Sequence, residues 1–387
     1  MPSVPLDPAR PPRLDSLTGL RWWAAFGVFL HHMTNLAPLP VHAALSLGNY
    51  GVMFFFVLSG FVLTWSAQAI STSTFYWRRF ARIYPAHLVA LAVAIPVFYS
   101  LTPAAEDWWV KPLDLGVLLL SVLLVQGWWR EPTILFSGNP AAWTLTCEAF
   151  FYALHPYLSR VLRLLSTRRA VGAAVALIGL SFAWRFVELI GPGLLPGALP
   201  WPIARLGEFL LGMCLAHAMR TGWRPRLPAG ATMIASLLLL AVIAVTVSTP
   251  WLAPVEPVIR PFINEWMLVT CAALITAVAA RDLHGGRSLL RHPVLVRLGE
   301  ASYAFYLVHA TIIYAVLSVV GRQLGPIALV WYPLMLAACI VAAFALHLLV
   351  EKPMERRLRR WGDARDERRR TARRSTGEEP DRSRELV

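Results

Sequence analysis

Apolar runs of helical length follow one another along almost the whole chain, separated by short polar gaps rich in arginine or proline. They fall near residues 19–36, 50–67, 83–101, 113–128, 142–162, 170–189, 203–219, 231–248, 265–280, 301–320 and 328–350. A helix rising about 1.5 Å per residue needs roughly 20 residues to cross a bilayer. The pattern therefore predicts an all-α polytopic membrane bundle, with no room for a large soluble domain among the runs.

Composition supports this reading, since 57% of the 387 residues are apolar and 15% are charged, against roughly 45–50% and about 25% in ordinary soluble domains. The formal charge of +14 comes mainly from arginine, because only Lys111 and Lys352 are lysines. A basic chain of this kind suggests nucleic-acid binding until the arginines are placed. They fall in the gaps 78–82, 160–169, 220–226 and 281–297 and in the tail, which matches a positive-inside topology signal instead. No nucleic-acid partner is expected. The gaps 38–48, 190–202 and 249–264 carry almost no positive charge.

Alternating these gaps across a membrane leaves one run too many between the arginines at 78–82 and those at 160–169. The run 113–128 is the shortest, is flanked by tryptophans and lies among proline and glycine, so it is assigned as re-entrant or interfacial. The expectation is about ten spans with both termini cytoplasmic and the first run retained as a span. It divides the chain into an arm at residues 1–13, a membrane domain at 14–353 and a basic tail at 354–387 without fixed structure. The four cysteines lie in apolar runs without metal-ligand or redox spacing and are read as packing residues. No metal site is expected.

Ionisable residues inside spans mark function or buried pairs. Arg21 and His32 are eleven residues apart in the first run, close to three helical turns, so they share a face, while His31 points about 100° away. A neutral imidazole in such a place can serve as a general base. Arg79 and Arg82 stand at i, i+3 beside Arg78 and present a forked pair suited to phosphate, or alternatively anchor lipid headgroups. Thr144, Glu148 and Tyr152 form an i, i+4 stripe, and Tyr303, Tyr306 and His309 a second polar stripe at spacing three. Arg185 with Glu188 and Arg205 with Glu208 have the spacing of structural ion pairs. No HExxH, GxSxG or glycine-rich phosphate loop occurs.

Seven segments in order resemble the acyltransferase-3 family of bacterial integral-membrane acyltransferases. They are Leu17-Thr18-Gly19-Leu20-Arg21 running to His32, Gly51 to Phe61 with its Ser59-Gly60-Phe61, and Arg79-Phe80-Ala81-Arg82-Ile83-Tyr84-Pro85. Trp143 to Tyr152, Arg205-Leu206-Gly207-Glu208-Phe209 to Met213, Leu298 to His309, and Glu351-Lys352-Pro353 complete the set. The resemblance implies His32 as the family's first-helix histidine, Arg21 as its companion arginine, and Arg79 with Arg82 as the pair that meets an acyl-CoA donor. Glu148, Tyr152, Tyr303 and His309 become acceptor-side or structural polar positions. The sequence departs from the family at Thr18 and Ala149, where carboxylates often stand.

The resemblance implies transfer of an acetyl or propionyl group from acyl-CoA, used as a co-substrate rather than a bound cofactor, to a hydroxyl group. The opening Ser16 to Trp23 is similar to the actinobacterial subgroup that acylates macrolides, so a macrolide or its sugar is the expected acceptor. O-acetylation of a surface polysaccharide or glycolipid is the alternative. A transporter of acylated products is the competing class, weakened by the lack of an internal repeat. Membrane lipids are the remaining expected partners.

Overall fold

The computed structural model describes residues 11–375 apart from 69, 105, 106, 192 and 195–197, with side chains as far as residue 368. The arm before residue 11 and the tail after 375 lie outside the described residues. Helices account for nearly all the ordered backbone. In chain order the main ones are α1 (Asp15–Leu36), α2 (Gly51–Trp65), α3 (Thr72–Phe98), α4 (Leu115–Val122), α5 (Trp143–Leu162), α6 (Thr167–Ile190) and α7 (Leu206–Arg220). They continue with α8 (Ala229–Ser248), α9 (Ile263–Leu283), α10 (Pro293–Glu300), α11 (Ser302–Val320), α12 (Ala328–Leu346) and α13 (Lys352–Ser375). Two residue pairs, Tyr99–Ser100 and Lys111–Pro112, make a minimal parallel bridge.

Among the described residues, seven helical stretches are long and apolar enough to cross a membrane. Three further helices, α1, α5 and α7, occupy the remaining expected spans. They carry Arg21, His31 and His32, Glu148, and Glu208, the polar residues that lower their mean apolarity. The run 113–128 does not form a spanning helix. Its eight-residue α4 reaches only about 12 Å at helical rise, and Leu124, at φ 57°, turns the chain into a short 3₁₀ segment. That backbone conformation is rare for a residue with a branched side chain.

Two ends of the bundle differ in charge. At the arginine-rich end, Ser16 donates from its backbone N–H and its hydroxyl to the Asp282 carboxylate at 2.9 and 2.6 Å, which places negative charge at the N-terminus of α1. Arg13 pairs with Glu300 at 2.9 Å, and Arg220 donates to the last carbonyls of α2, 2.8 Å from Thr64. At the opposite end, Gln323 donates to the Leu36 carbonyl and Tyr332 to that of Ala37, closing α1 against α11 and α12.

Helices α2 and α7 make close backbone contact. A Cβ on Gly212 would stand 1.9 Å from the Val57 carbonyl oxygen, and one on Gly60 2.0 Å from that of Phe209. Small residues let the two backbones touch, which is how helices gain dispersion contact where apolar burial gives no driving force.

The tail expected to lack fixed structure is helical as far as Ser375. A π-turn at His347–Glu351 carries α12 directly into α13. The new helix lies along α3. Trp77 donates its indole N–H to the Leu358 carbonyl at 2.7 Å and sets its ring 4.9 Å from that of Trp361, while Arg78 meets Asp363 at 3.1 Å. Arginine, glutamate and alanine are good helix formers, and the two tryptophans supply a face that a count of charges conceals.

A charged cavity beside a histidine pair

Helices α1, α2, α3, α5 and α11 surround a cavity of about 140 Å³. Arg21, Arg79, Arg82, Glu148, Tyr152, Tyr303 and Tyr306 all line it. Residues separated by up to 285 positions are thus brought to one site, although each stripe was local in the sequence. Tyr152 donates to Glu148 at 3.0 Å, the i, i+4 contact expected of that stripe, and Tyr303 donates to the Ile83 carbonyl at 2.9 Å.

The three arginines of the site are held differently. Arg82 meets Glu355 at 3.1 Å and Glu351 at 3.7 Å, both contributed from the α12–α13 junction. Glu351 is itself bonded to His347 at 2.7 Å across the π-turn. Neither Arg21 nor Arg79 makes an ion pair with a described residue, and Arg79 lies 5.7 Å from the centroid of the Phe75 ring and 6.0 Å from that of Tyr152. Two guanidinium groups without carboxylate partners in a partly buried cavity create a strong demand for an anion. The forked pair expected at Arg79 and Arg82 is therefore divided, with Arg21 and Arg79 open and Arg82 engaged.

His32 and His309 do not line this cavity. They face each other one layer further along α1 and α11, with ring centroids 5.1 Å apart. Phe305 packs between Trp22 and Phe29 and keeps the two helices in register. Tyr306 connects the two regions, lining the cavity and placing its ring 5.6 Å from His309. His309 Nδ1 lies 2.7 Å from the Tyr306 carbonyl, which can only accept, so Nδ1 carries the proton and Nε2 is left as a lone pair. Nε2 of His309 and Nδ1 of His32 are buried without a hydrogen-bond partner. His31 stands 5.1 Å from His32 on the other side of the pair.

Sequence reasoning missed the groups that hold this arrangement. Asn139, fully buried, donates to the Leu307 carbonyl at 2.7 Å and accepts from the Ala141 N–H, tying the loop before α5 to α11. Thr144 and Tyr306 both donate to the Ala141 carbonyl, at 3.0 and 3.2 Å. A polar Asn-Pro pair directly before an apolar run was the available signal. Glu355 lay in a charge run read as solvated, and Glu351 was quoted only as part of a motif.

Residues 14–348 match the family described as an acyltransferase domain, the third of that name. The chain belongs to the acyltransferase-3 family. Acyltransferase MdmB of Streptomyces mycarofaciens is 39% identical over 91% of this chain and 94% of its own length. YrhL of Bacillus subtilis, whose name gives a peptidoglycan O-acetyltransferase, is 26% identical over 88% of this chain and 55% of its own length. O-acetyltransferase OatA of Staphylococcus aureus is 27% identical over 38% of this chain and 24% of its own length. No solved structure matches the chain. This acyltransferase is a multi-pass membrane protein, and its family places an acyl donor and a hydroxyl acceptor among its substrates.

Proposed function

We propose that this acyltransferase moves an acetyl or propionyl group from acyl-CoA to a hydroxyl of a macrolide-type acceptor or its sugar. The observation that carries the donor half is the pair of arginines, Arg21 and Arg79, that line a cavity without a carboxylate partner. Coenzyme A presents a diphosphate and a 3′-phosphate, anions whose paired oxygens the planar guanidinium group binds through two parallel hydrogen bonds. The arginine-rich end faces the cytoplasm in this reading, both by the distribution of basic loops and because the donor is found there.

In the reaction the acceptor oxygen attacks the thioester carbonyl, a C–O bond forms and the C–S bond breaks. His32 takes the hydroxyl proton and returns it to the departing thiolate, so the enzyme ends as it began. His309 bonds the Tyr306 carbonyl through Nδ1 and packs against the His32 ring, which restricts the orientation of that ring. Arg21, separated from His32 by the ring layer of Trp22, Phe305 and Phe29, acts on the donor held in the cavity rather than on the acceptor hydroxyl.

The macrolide acceptor rests on the resemblance of Ser16 to Trp23 to the macrolide-acylating subgroup, and on a similarity to MdmB that spans nearly all of both chains. The name of YrhL favours a second reading, O-acetylation of a cell-wall glycan. Membrane fractions supplied with acyl-CoA and a hydroxylated macrolide test the first by mass spectrometry. A macrolide heavier by one acyl group is the expected product. An unchanged macrolide beside an acylated glycan would transfer the reading to the second, and movement of an unmodified compound across the membrane would make the protein a transporter.

A further inference from the structure

A second cavity, of about 690 Å³, lies at the opposite end of the bundle between α6, α7 and α9. The two ion pairs expected from spacing alone are both in its wall. Arg205 meets Glu208 at 2.6 Å and Arg185 meets Glu188 at 2.6 Å. Glu265, 3% exposed, accepts from Ser181 at 3.2 Å through one oxygen only. Trp201 forms a platform with the Arg130 guanidinium 4.2 Å and that of Arg205 5.0 Å from its ring centroid.

The pairing is incomplete on both sides of the ledger of donors and acceptors. Buried without a hydrogen-bond partner are the second oxygens of Glu208 and Glu265, which can only accept, and Nε1 of Trp201 with Nε of Arg205, which can only donate, while Nε of Arg185 is 3.9 Å from the other oxygen of Glu265. A cation would satisfy the first set and an anion the second. Neither satisfies both. A compound dense in hydroxyl groups does, because every hydroxyl donates one hydrogen bond and accepts others.

Two more features give the direction of approach and the purpose. On α6 the only buried residues are Ala170 and Ala174, both towards the arginine-rich end; its other half is held to α9 through Ser181 and Glu265, while Leu180, which lines the cavity, is exposed on the outer side of the bundle and opens the cavity sideways to lipid. Trp201 lies 4.9 Å from Trp143, ring to ring and tilted, and the next residue, Thr144, lines the donor cavity with its hydroxyl 3.1 Å from that of Tyr306. The two cavities thus meet across the first turn of α5.

We infer that this second cavity binds the sugar of an amphiphilic glycoside that enters from the bilayer and is the hydroxyl acceptor of the transfer reaction. The inference rests on the acceptor reading above and adds the place and the chemistry of recognition. The full chain in lipid nanodiscs, titrated with octyl β-D-glucoside below its micellar concentration and followed by saturation-transfer NMR, tests it, with octanol as the control ligand. Saturation of the sugar protons is expected in the wild type and at least tenfold weaker binding in Glu265→Gln and Trp201→Leu, with coenzyme A binding retained as evidence of folding. Sugar signals equal in all three proteins, signals no stronger than those of octanol, or a phospholipid that the glucoside cannot displace would overturn it. Binding needs no acyl transfer, so glucoside bound as expected while no macrolide is ever acylated removes the acceptor reading alone. Macrolide acylation with an unchanged acceptor KM in Trp201→Leu removes the cavity assignment alone.

Discussion

The cavities at the two ends of this bundle handle charge in opposite ways. At the arginine-rich end Arg21 and Arg79 face a space of about 140 Å³ in which Glu148 bonds Tyr152 and stands outside ion-pair distance of both, while at the other end Arg185 and Arg205 are each held by a glutamate around a space of about 690 Å³. Burying a charge without a partner costs several kcal/mol, roughly, unless a ligand completes it. The first arrangement therefore selects an anion by charge. The second has already neutralised its ions and is left with single donors and acceptors, which recognise a neutral ligand by hydrogen-bond pattern. One bundle can in this way hold two substrates of unlike chemistry without either occupying the other's site.

The largest effect is expected at His32, which lines neither cavity. His32→Ala should lower transfer by about 10²–10⁴-fold, the usual worth of a general base, while both ligands still bind. Acyl transfer by membrane fractions, measured beside coenzyme A binding, checks this. Activity within about tenfold of wild type would be too small a loss for a general base and would return His32 to a packing role. His309→Gln should lose less, because it removes an orienting partner rather than the base, and its defect should fall on kcat.

Within the donor cavity the contrast between open and engaged arginines predicts two different failures. Arg82→Ala leaves Glu351, 1% exposed, without its cation, and breaking a buried pair costs about 3–5 kcal/mol. Its expected effect is a lowered Tm. Arg79→Ala removes no ion pair, so stability should hold while the acyl-CoA KM rises by roughly ten- to a hundredfold, the worth of about 1.5–3 kcal/mol for a hydrogen bond to a charged group. Arg79→Lys should recover part of it, as a point charge lacks the paired geometry. A normal donor KM in Arg79→Ala would mean that the open arginine does not hold the donor.

How much of this was legible in the sequence depended on distance along the chain. The runs, the interrupted segment at 113–128, the Tyr152–Glu148 contact and the Arg185–Glu188 and Arg205–Glu208 pairs are all local, and helical periodicity is enough to read them. The division of Arg79 from Arg82 was not legible, because it depends on Glu355, 273 residues away on a helix that a run of charges disguised as a solvated tail. The placement of His32 outside the arginine cavity was hidden for a different reason. Spacing puts Arg21 and His32 on one face but cannot say that a layer of aromatic rings, Phe305 between Trp22 and Phe29, separates the polar groups along it. The second cavity needed Glu265 and Ser181, 84 residues apart, to meet.

The wall shared by both cavities offers a stability test of the comparison. Gly212→Ala would put a methyl group 1.9 Å from the Val57 carbonyl oxygen, which the backbones relieve only by separating α2 from α7. Overpacking of this kind costs about 1–3 kcal/mol. Since α2 lines the donor cavity through Ser59 and α7 lines the other through Glu208, donor and acceptor KM should rise together. A thermal-shift assay in detergent with both KM values checks it, and a change confined to one substrate would show that the two cavities do not share that wall.

The smallest effect is expected at Arg78, and it bears on whether the donor site is read by geometry or by charge alone. Arg78, Arg79 and Arg82 lie within two turns of α3, yet Arg78 points outwards to Asp363, whose side chain is 55% exposed, at 3.1 Å. Such a surface pair is worth about 0.2–1 kcal/mol and weakens with salt. Arg78→Ala should therefore leave the acyl-CoA KM within about twofold of wild type, a change below 1.4 kcal/mol, and any loss of stability should vanish in high salt as the wild-type pair is screened too. Were Arg78→Ala to raise the donor KM as much as Arg79→Ala, the arginine run would be attracting the donor as a diffuse positive surface. The distinction between open and engaged arginines would then have no part in binding. An effect at Arg79 alone, with Arg78 silent and Arg82 reporting stability, would show that three neighbouring arginines have been given three separate tasks by what the rest of the chain places opposite each.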